Sequence, residues 1–343
     1  MIGPILSLRD VAMTFPVRRG AFAKPAALRA LVGVSLDVMP GEALGIVGES
    51  GCGKTTLGRC IVGVHPPTAG RILLRPREGG EMQDVTRRDT ASQRRLARDI
   101  RMIFQDPFGS LNPRMTVFDI LAEPLRVHGE GADRAALEER IAAILARVGL
   151  RPDAMRRYPH AFSGGQRQRI GIARALILAP RIVVADEAVS ALDVSVRAQI
   201  LNLLLELREE MGLTILFIGH DLGVVRYFCD RVAVMYSGQV VEVAPAERLF
   251  AAPGHPYTQA LLSAVPEPDP RLRGQRRRMI LRGEVPDPMD RPSGCVFHPR
   301  CPYAVERCRA ESPPLVHVGP ASISACWRGE EMASGALRPD LAA

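Results

Sequence analysis

The sequence predicts an α/β fold in which a buried sheet presents a phosphate-binding loop, and three observations predict it. First, residues 48–55 read Gly48-Glu49-Ser50-Gly51-Cys52-Gly53-Lys54-Thr55, with Thr56 next. Second, an apolar run at 43–47 enters this loop and a helix-compatible run at 55–62 leaves it. Third, the apolar runs at 100–104, 182–185 and 213–219 end in polar residues: Gln105, the pair Asp186-Glu187, and His220. Short apolar runs suit strands buried on both faces, and such sheets place ligands at the carboxyl ends of their strands.

Each element has a chemical justification. In G-x-x-x-x-G-K-[ST] the glycines let backbone N–H groups turn inward round a phosphate, the lysine meets its charge, and the hydroxyl reaches Mg²⁺. The helix that follows turns its positive N-terminus toward the anion. Lys54 and Lys24 are the only lysines; arginine supplies the rest of the basic charge. A compact ammonium is thus kept where a phosphate suits it. Strand side chains alternate, so Asp186 and Glu187 are expected to do different work. Asp186 is expected to hold Mg²⁺ through water and Glu187 to polarise an attacking water, since phosphoryl transfer rests on positioning and charge neutralisation. Taken singly, a Gln such as Gln105 or a His such as His220 is more often structural; the constellation gives them weight. A second glycine-rich segment, Ser163-Gly164-Gly165-Gln166, opens another helix-like run and is a second loop of phosphate-contacting design.

Along the chain, residues 5–105 read as strands around the first helix and 106–160 as a helical insert, clearest at 132–148. The sheet is expected to resume at 182–187, 213–219 and 231–243, with a strong helix at 194–211 and a Pro/Gly boundary at 251–256. At 343 residues the chain accommodates one large domain plus an extension. The expected division is 1–252, with a helical subdomain at about 106–175, and 253–343. No apolar stretch approaches the ~18–20 residues that cross a bilayer. The first residues lack signal-peptide design, so a peripheral protein on the cytoplasmic face of the inner membrane is expected. The net charge of +8 comes mostly from scattered arginines without an aromatic-studded basic face, which argues against nucleic acid. The dense exception, 271–278, lies in a Pro-rich connector and suits either anionic headgroups or solvent.

Taken in order, the 48–55 loop, Gln105, Ser163-Gly164-Gly165-Gln166, Asp186-Glu187, Ser190-Ala191-Leu192-Asp193 and His220 resemble the nucleotide-binding subunit of an ATP-binding-cassette (ABC) transporter. The resemblance implies a RecA-like core sheet, an antiparallel β subdomain and a helical signature subdomain. It implies that Lys54 and Thr55 bind phosphate and Mg²⁺ and that Gln105 senses the metal and the membrane partner. Glu187 is then the general base, His220 the residue that touches the γ-phosphate, and Asp193 part of the loop at a dimer interface. Phe15 holds the place of an adenine-stacking aromatic, although an isolated Phe near a first strand is more often core. In this family the Ser-Gly-Gly-Gln loop of one subunit caps ATP held by another, so one chain supplies two half-sites. Three departures stand out. Phe162 replaces the usual Leu and keeps an apolar anchor. Ala188-Val189 replaces Pro-Thr and is expected to loosen the loop after Glu187. Cys52 sits inside the phosphate loop, open to oxidation or alkylation.

The segments 255–262, 281–286 and 294–302, together with 104–115, resemble the oligopeptide and dipeptide import ATPases, particularly their second ATPase subunit. That resemblance implies a homologous partner ATPase, two transmembrane permease subunits and an extracytoplasmic peptide-binding protein. Nickel or metal-chelate importers share parts of the architecture. A soluble non-transport ABC ATPase is disfavoured by the single cassette, and a non-hydrolysing regulatory module by intact Glu187 and His220. Cys295, Cys301, Cys308 and Cys326 form C-x₅-C-x₆-C-x₁₇-C. Four thiols suit a [4Fe–4S] cluster or tetrahedral Zn²⁺, or remain unliganded; the spacing lacks the paired C-x₂-C of zinc ribbons. Some peptide-import ATPases carry the cluster in this extension. Cys60 and Cys229 read as solitary thiols.

Overall fold

The structure is a computed structural model that describes residues 3–17, 26–86, 90–106, 109–265 and 279–337. The arginine-dense run at 271–278 lies outside the described residues, as do Pro107 and Phe108.

The chain opens with two long antiparallel strands, β1 (Leu6–Val17) and β2 (Ala26–Val38), paired from Leu6 opposite Val38 to Val17 opposite Ala26. Strand β3 (Ala43–Val47) then leads to helix α1 (Lys54–Ile61), and β4 (Ala69–Leu74) and β5 (Gln83–Asp84) return to the first sheet, in the order β2-β1-β4-β5. Helix α2 (Thr90–Asp99) precedes β6 (Ile100–Ile103). The insert holds α3 (Val117–Val127), α4 (Arg134–Arg147) and α5 (Gly164–Leu176). There follow β7 (Ile182–Asp186), α6 (Val194–Met211), β8 (Thr214–Ile218), α7 (Leu222–Phe228), β9 (Arg231–Tyr236) and β10 (Gln239–Pro245). Two short helices, α8 (Ala246–Ala251) and α9 (Pro256–Ser263), lead into the C-terminal segment. That segment contains α10 (Glu306–Ala310), β11 (Val316–Gly319), β12 (Ser322–Ser324) and α11 (Gly329–Ala333).

Strands β3 and β6 to β12 make one sheet in the order β11-β12-β10-β9-β3-β8-β7-β6. The run from β9 to β6 is parallel; β10, β12 and β11 are added antiparallel. Alternation along the central strands explains their unbroken apolar sequence. In β7, Val183 and Ala185 face the core shared with the helical insert, while Ile182 and Val184 face the core beneath β1 and β2. In β8, Ile215 and Phe217 face the first core, Leu216 and Ile218 the second. Both faces are covered, so no polar alternation is required. Helix ends obey capping chemistry: Asp193 accepts the Val196 N–H at the start of α6, and Gly212, at φ 63°, ends it in the left-handed conformation.

Three features differ from the sequence reading. The expected strand at 231–243 is a hairpin, β9 and β10, turning at Ser237 (φ 44°) and Gly238 (φ 78°). Helix α2 interrupts what reads as strands, because an arginine-rich segment packs Leu96 inward and exposes its charges. The C-terminal segment joins the main sheet through β12, with Glu242 opposite Ser324 and Val243 opposite Ile323.

Glu242 lies at that junction, 1% exposed. Its Oε1 accepts the Gly254 N–H at 2.6 Å, and Oε2 has no partner among the described residues. Burial pushes this carboxyl up to about 7 from its ordinary 4.5. The folded state therefore binds a proton that the unfolded chain has released between those values. That contribution is complete below pH 4.5 and is lost as pH rises to about 7. We expect the wild-type stability advantage over Glu242→Gln to shrink by about 3 kcal/mol across this window, measured as paired urea-unfolding curves. A difference independent of pH would refute the buried, protonated carboxyl.

Candidate active site

The loop after β3 turns at two glycines that no residue with a side chain could replace. Gly48 has φ 152°, and a Cβ there would lie 2.2 Å from the Met235 carbonyl oxygen. Gly53 has φ 103°, and its Cβ would lie 2.5 Å from the Ala30 carbonyl oxygen. The loop is thus wedged between the end of β9 and the body of β2. Lys54, the first residue of α1, is buried and donates to the carbonyls of Gly48 (2.8 Å) and Glu49 (2.9 Å). Thr55 Oγ1 donates to Asp186 Oδ1 at 3.1 Å. Burial raises the Asp186 carboxyl above its usual range; the Thr55 hydrogen bond opposes that shift and the Glu187 charge adds to it.

Glu187 follows β7 in the left-handed region, φ 46°. Its N–H is held by the Ile218 carbonyl at 2.9 Å, so the strain is fixed by β8. The carboxylate accepts Gln105 Nε2 at 2.7 Å and lies 3.5 Å from His220 Nδ1. Three strand ends therefore bring Gln105, Glu187 and His220 together, as the constellation predicts.

A cleft is lined by Phe15, Ser50, Gly51, Gly53, Lys54, Thr55, Thr56, Gln105, Glu187 and His220. Leu28, Arg29, Ala30, Ser237, Gly238 and Pro288 complete its wall and were not singled out by the sequence, in which 231–243 reads as one strand. Phe15 meets His65 edge-on, ring centroids 5.5 Å apart, and remains half-buried on the cleft. Gly48, Glu49, Cys52 and Asp186 are not on this wall; Asp186 lines an adjoining groove with Thr55 and Gln105.

Ser163, Gly164, Gly165 and Gln166 are elsewhere. They begin α5 with a complete capping box, in which Ser163 Oγ accepts the Gln166 N–H and Gln166 Oε1 accepts the Ser163 N–H. Ser163 and Gln166 are exposed, and neither this loop nor Asp193 lines the cleft. Phe162 is buried, with the Arg157 guanidinium 4.6 Å from its ring centroid. The expected looseness after Glu187 is not observed. Ala188 and Val189 are buried, the Ala188 carbonyl accepts Gln168 Nε2 from α5 at 2.7 Å, and Ser190 Oγ donates to the Glu187 carbonyl.

Cys52 also departs from expectation. Its thiol faces inward, 3% exposed, and burial pushes its pKa up despite the opposing Lys54 charge. Reactivity needs exposed thiolate, so this position is protected. Cys295, Cys301, Cys308 and Cys326 line one pocket in the tail. Burial raises the Cys295 thiol and pushes Cys301 and Cys326 up to about 12 and about 11. Among the described residues, no cluster of three or more His, Cys, Asp or Glu side chains is gathered closely enough to hold a metal ion.

A strand–loop–helix cradle, a strand-end carboxylate pair and a separate capped glycine loop define an ATP-binding ABC-type ATPase. The comparisons agree. Residues 31–190 match the ABC transporter family and residues 241–308 the C-terminal region of oligopeptide/dipeptide transporters. The chain is 49% identical over 324 residues to the oligopeptide transport ATP-binding protein AppF of Bacillus subtilis, covering 94% of this chain and 96% of that one. It is 47% identical over 314 residues to OppF, the oligopeptide transport ATP-binding protein of Salmonella typhimurium, covering 91% and 92%. Among solved structures, cbiO1 of Clostridium perfringens, part of an ABC transporter complex, superposes with a TM-score of 0.61 at 26% identity, covering 73% of this chain and 91% of that one. The ATP-binding cassette MJ0796, solved as a dimer with ADP and Pi, gives 0.60 at 28% identity, covering 70% and 98%. The chain belongs to the ABC transporter ATP-binding family, in the branch that carries the oligopeptide/dipeptide transporter C-terminal region.

Iodoacetamide applied to the folded protein should leave Cys52, Cys60 and Cys229 unmodified, each being buried. Peptide mass spectrometry checks this, and rapid labelling of Cys52 would contradict the geometry.

Proposed function

We propose that this chain is the ATP-hydrolysing subunit that powers an importer of di- and oligopeptides. It works beside a homologous ATPase beneath two transmembrane permease subunits, on the cytoplasmic face of the inner membrane, with an extracytoplasmic binding protein delivering peptide. One observation carries the reading: the phosphate-loop cleft and the Ser163–Gln166 loop lie in one chain without meeting. Each then needs a counterpart from a second subunit, and the dimeric cassette among the structural relatives supports that arrangement. Import of peptide is supported by the names of the relatives and by the matching C-terminal region. Residues 1–252 are assigned to the ATPase domain, with its helical subdomain at about 106–175, and 253–343 to the extension. No helix among the described residues is long and apolar enough to cross a membrane, which suits a subunit that meets the bilayer through others.

In this reading Lys54 leaves the Gly48 and Glu49 carbonyls for the β- and γ-phosphates, and Phe15 covers the base. The hydroxyl, amide and carboxylate of Thr55, Gln105 and Asp186 are hard donors of the kind that suits Mg²⁺. When bound, that ion neutralises phosphate charge. Glu187 orients and deprotonates the attacking water, and His220 reaches the γ-phosphate. Gly164, Gly165 and the start of α5 cap the partner's ATP, while Asp193 lies at the shared interface. Replacing Glu187 by Gln keeps the shape and removes the base. Turnover should fall about 10²–10³-fold, and a stable ATP-bound dimer should appear by size-exclusion chromatography. Turnover at the unmutated rate would remove Glu187 from this role.

The tail thiols extend the proposal. Cys295, Cys301, Cys308 and Cys326 are soft donors around one pocket, suited to a [4Fe–4S] cluster or to Zn²⁺ once deprotonated. Anaerobically purified protein should contain about four iron and four sulfide per chain if the cluster is present. Colourless protein with zinc supports the alternative, and protein with neither leaves the thiols unliganded.

A further inference from the structure

The C-terminal segment reaches the phosphate loop through a half-buried ion pair that ATP binding by itself does not explain. Arg300 Nη1 donates to Glu49 Oε2 at 2.9 Å and Nη2 to Glu49 Oε1 at 3.3 Å; the Arg300 side chain is only 9% exposed. Arg300 Nη1 also donates to the Tyr236 hydroxyl at 3.4 Å. The Glu49 peptide is held from both ends: its N–H donates to the Tyr257 hydroxyl at 2.8 Å, and its carbonyl accepts Lys54 Nζ at 2.9 Å. Tyr236, Tyr257 and Phe297 pack against one another with centroids 4.6–5.5 Å apart, a rigid backing for the arginine. A second contact lies at the cleft rim, where the Arg29 N–H donates to the Pro288 carbonyl (3.3 Å) and Arg291 donates to the Ser237 carbonyl.

Glu49 places a carboxylate in a loop whose task is to receive phosphate. Glu49 is partly exposed, and its charge, a few ångströms from the phosphate cradle, still repels an incoming phosphate. A guanidinium clamped on both oxygens cancels that charge and fixes the side chain on the side away from the cleft. We propose that Arg300 is a positioning residue for the nucleotide site: the C-terminal segment neutralises Glu49, so that ATP affinity depends on how the tail is docked. The inference rests on the cleft being the ATP site, as proposed above.

The test uses the full-length chain, with MgADP as probe and calorimetry as readout. Arg300→Gln should weaken binding about tenfold or more, because it bares the Glu49 charge. Arg300→Lys, which keeps a cation, should stay within about threefold of wild type. In the double variant Glu49→Gln/Arg300→Gln most of the affinity should return, since the repelling charge is gone. A merely structural brace gives no such rescue. Unchanged affinity in Arg300→Gln, or a double variant no tighter than the single one, overturns the proposal. If Arg300→Gln does not fold, amide exchange in the wild type decides: MgADP should slow exchange across residues 295–301, and no slowing refutes the coupling. Failure of the wild type to bind MgADP would instead overturn the functional reading.

Discussion

The turn at Gly48 is the constraint on which the rest depends. Strand β3 is buried between β9 and β8, so its last residue can be followed only by a chain that folds back at once. The Met235 carbonyl occupies the space a side chain would need. With that turn fixed, α1 starts beside the cleft and Lys54 is buried, its ammonium donating to the Gly48 and Glu49 carbonyls and to Cys52 Sγ. The neighbouring strands then set the remaining chemistry by register alone. Asp186 lies opposite Ile218 in the β7–β8 ladder, and this fixes the distance from Thr55 to the carboxylate.

Glu187 is the point at which regular structure gives way to aimed chemistry. A non-glycine residue at φ 46° costs of the order of 1–3 kcal/mol. The bond from its N–H to Ile218 and the buried Ala188-Val189 behind it hold it there. Gln168 links this loop to α5, so the capped glycine segment and the carboxylate share a mechanical connection within one chain. A displacement of α5 would therefore reach the Glu187 loop through this hydrogen bond.

The core sheet was legible because strands buried on two faces leave continuous apolar runs, and 182–185 and 213–219 are unambiguous in that sense. The cleft residues were legible because they follow those runs: Gln105, Glu187 and His220 meet as their positions suggest. The Ser237-Gly238 turn was hidden inside an apolar stretch whose two halves are both strands, although a Ser-Gly pair is itself a turn signal. Helix α2 was obscured by its charge, and the β10–β12 pairing by 79 intervening residues, from Val243 to Ile323, that no local pattern spans. The roles of Tyr257 and Arg300 were illegible for the same reason. Both act on Glu49 across more than two hundred positions, and tertiary contacts of that reach leave no periodicity.

Pairing of β12 onto β10 has a practical corollary for anyone dissecting the molecule. Strand β10 is mostly buried, and β12 pairs with its outer edge at Glu242 and Val243. Cutting the chain after α8 would strip that cover and leave an adhesive border, ready to recruit strands from neighbouring molecules. The tail therefore doubles as a hem: it keeps the catalytic sheet from fraying into its surroundings.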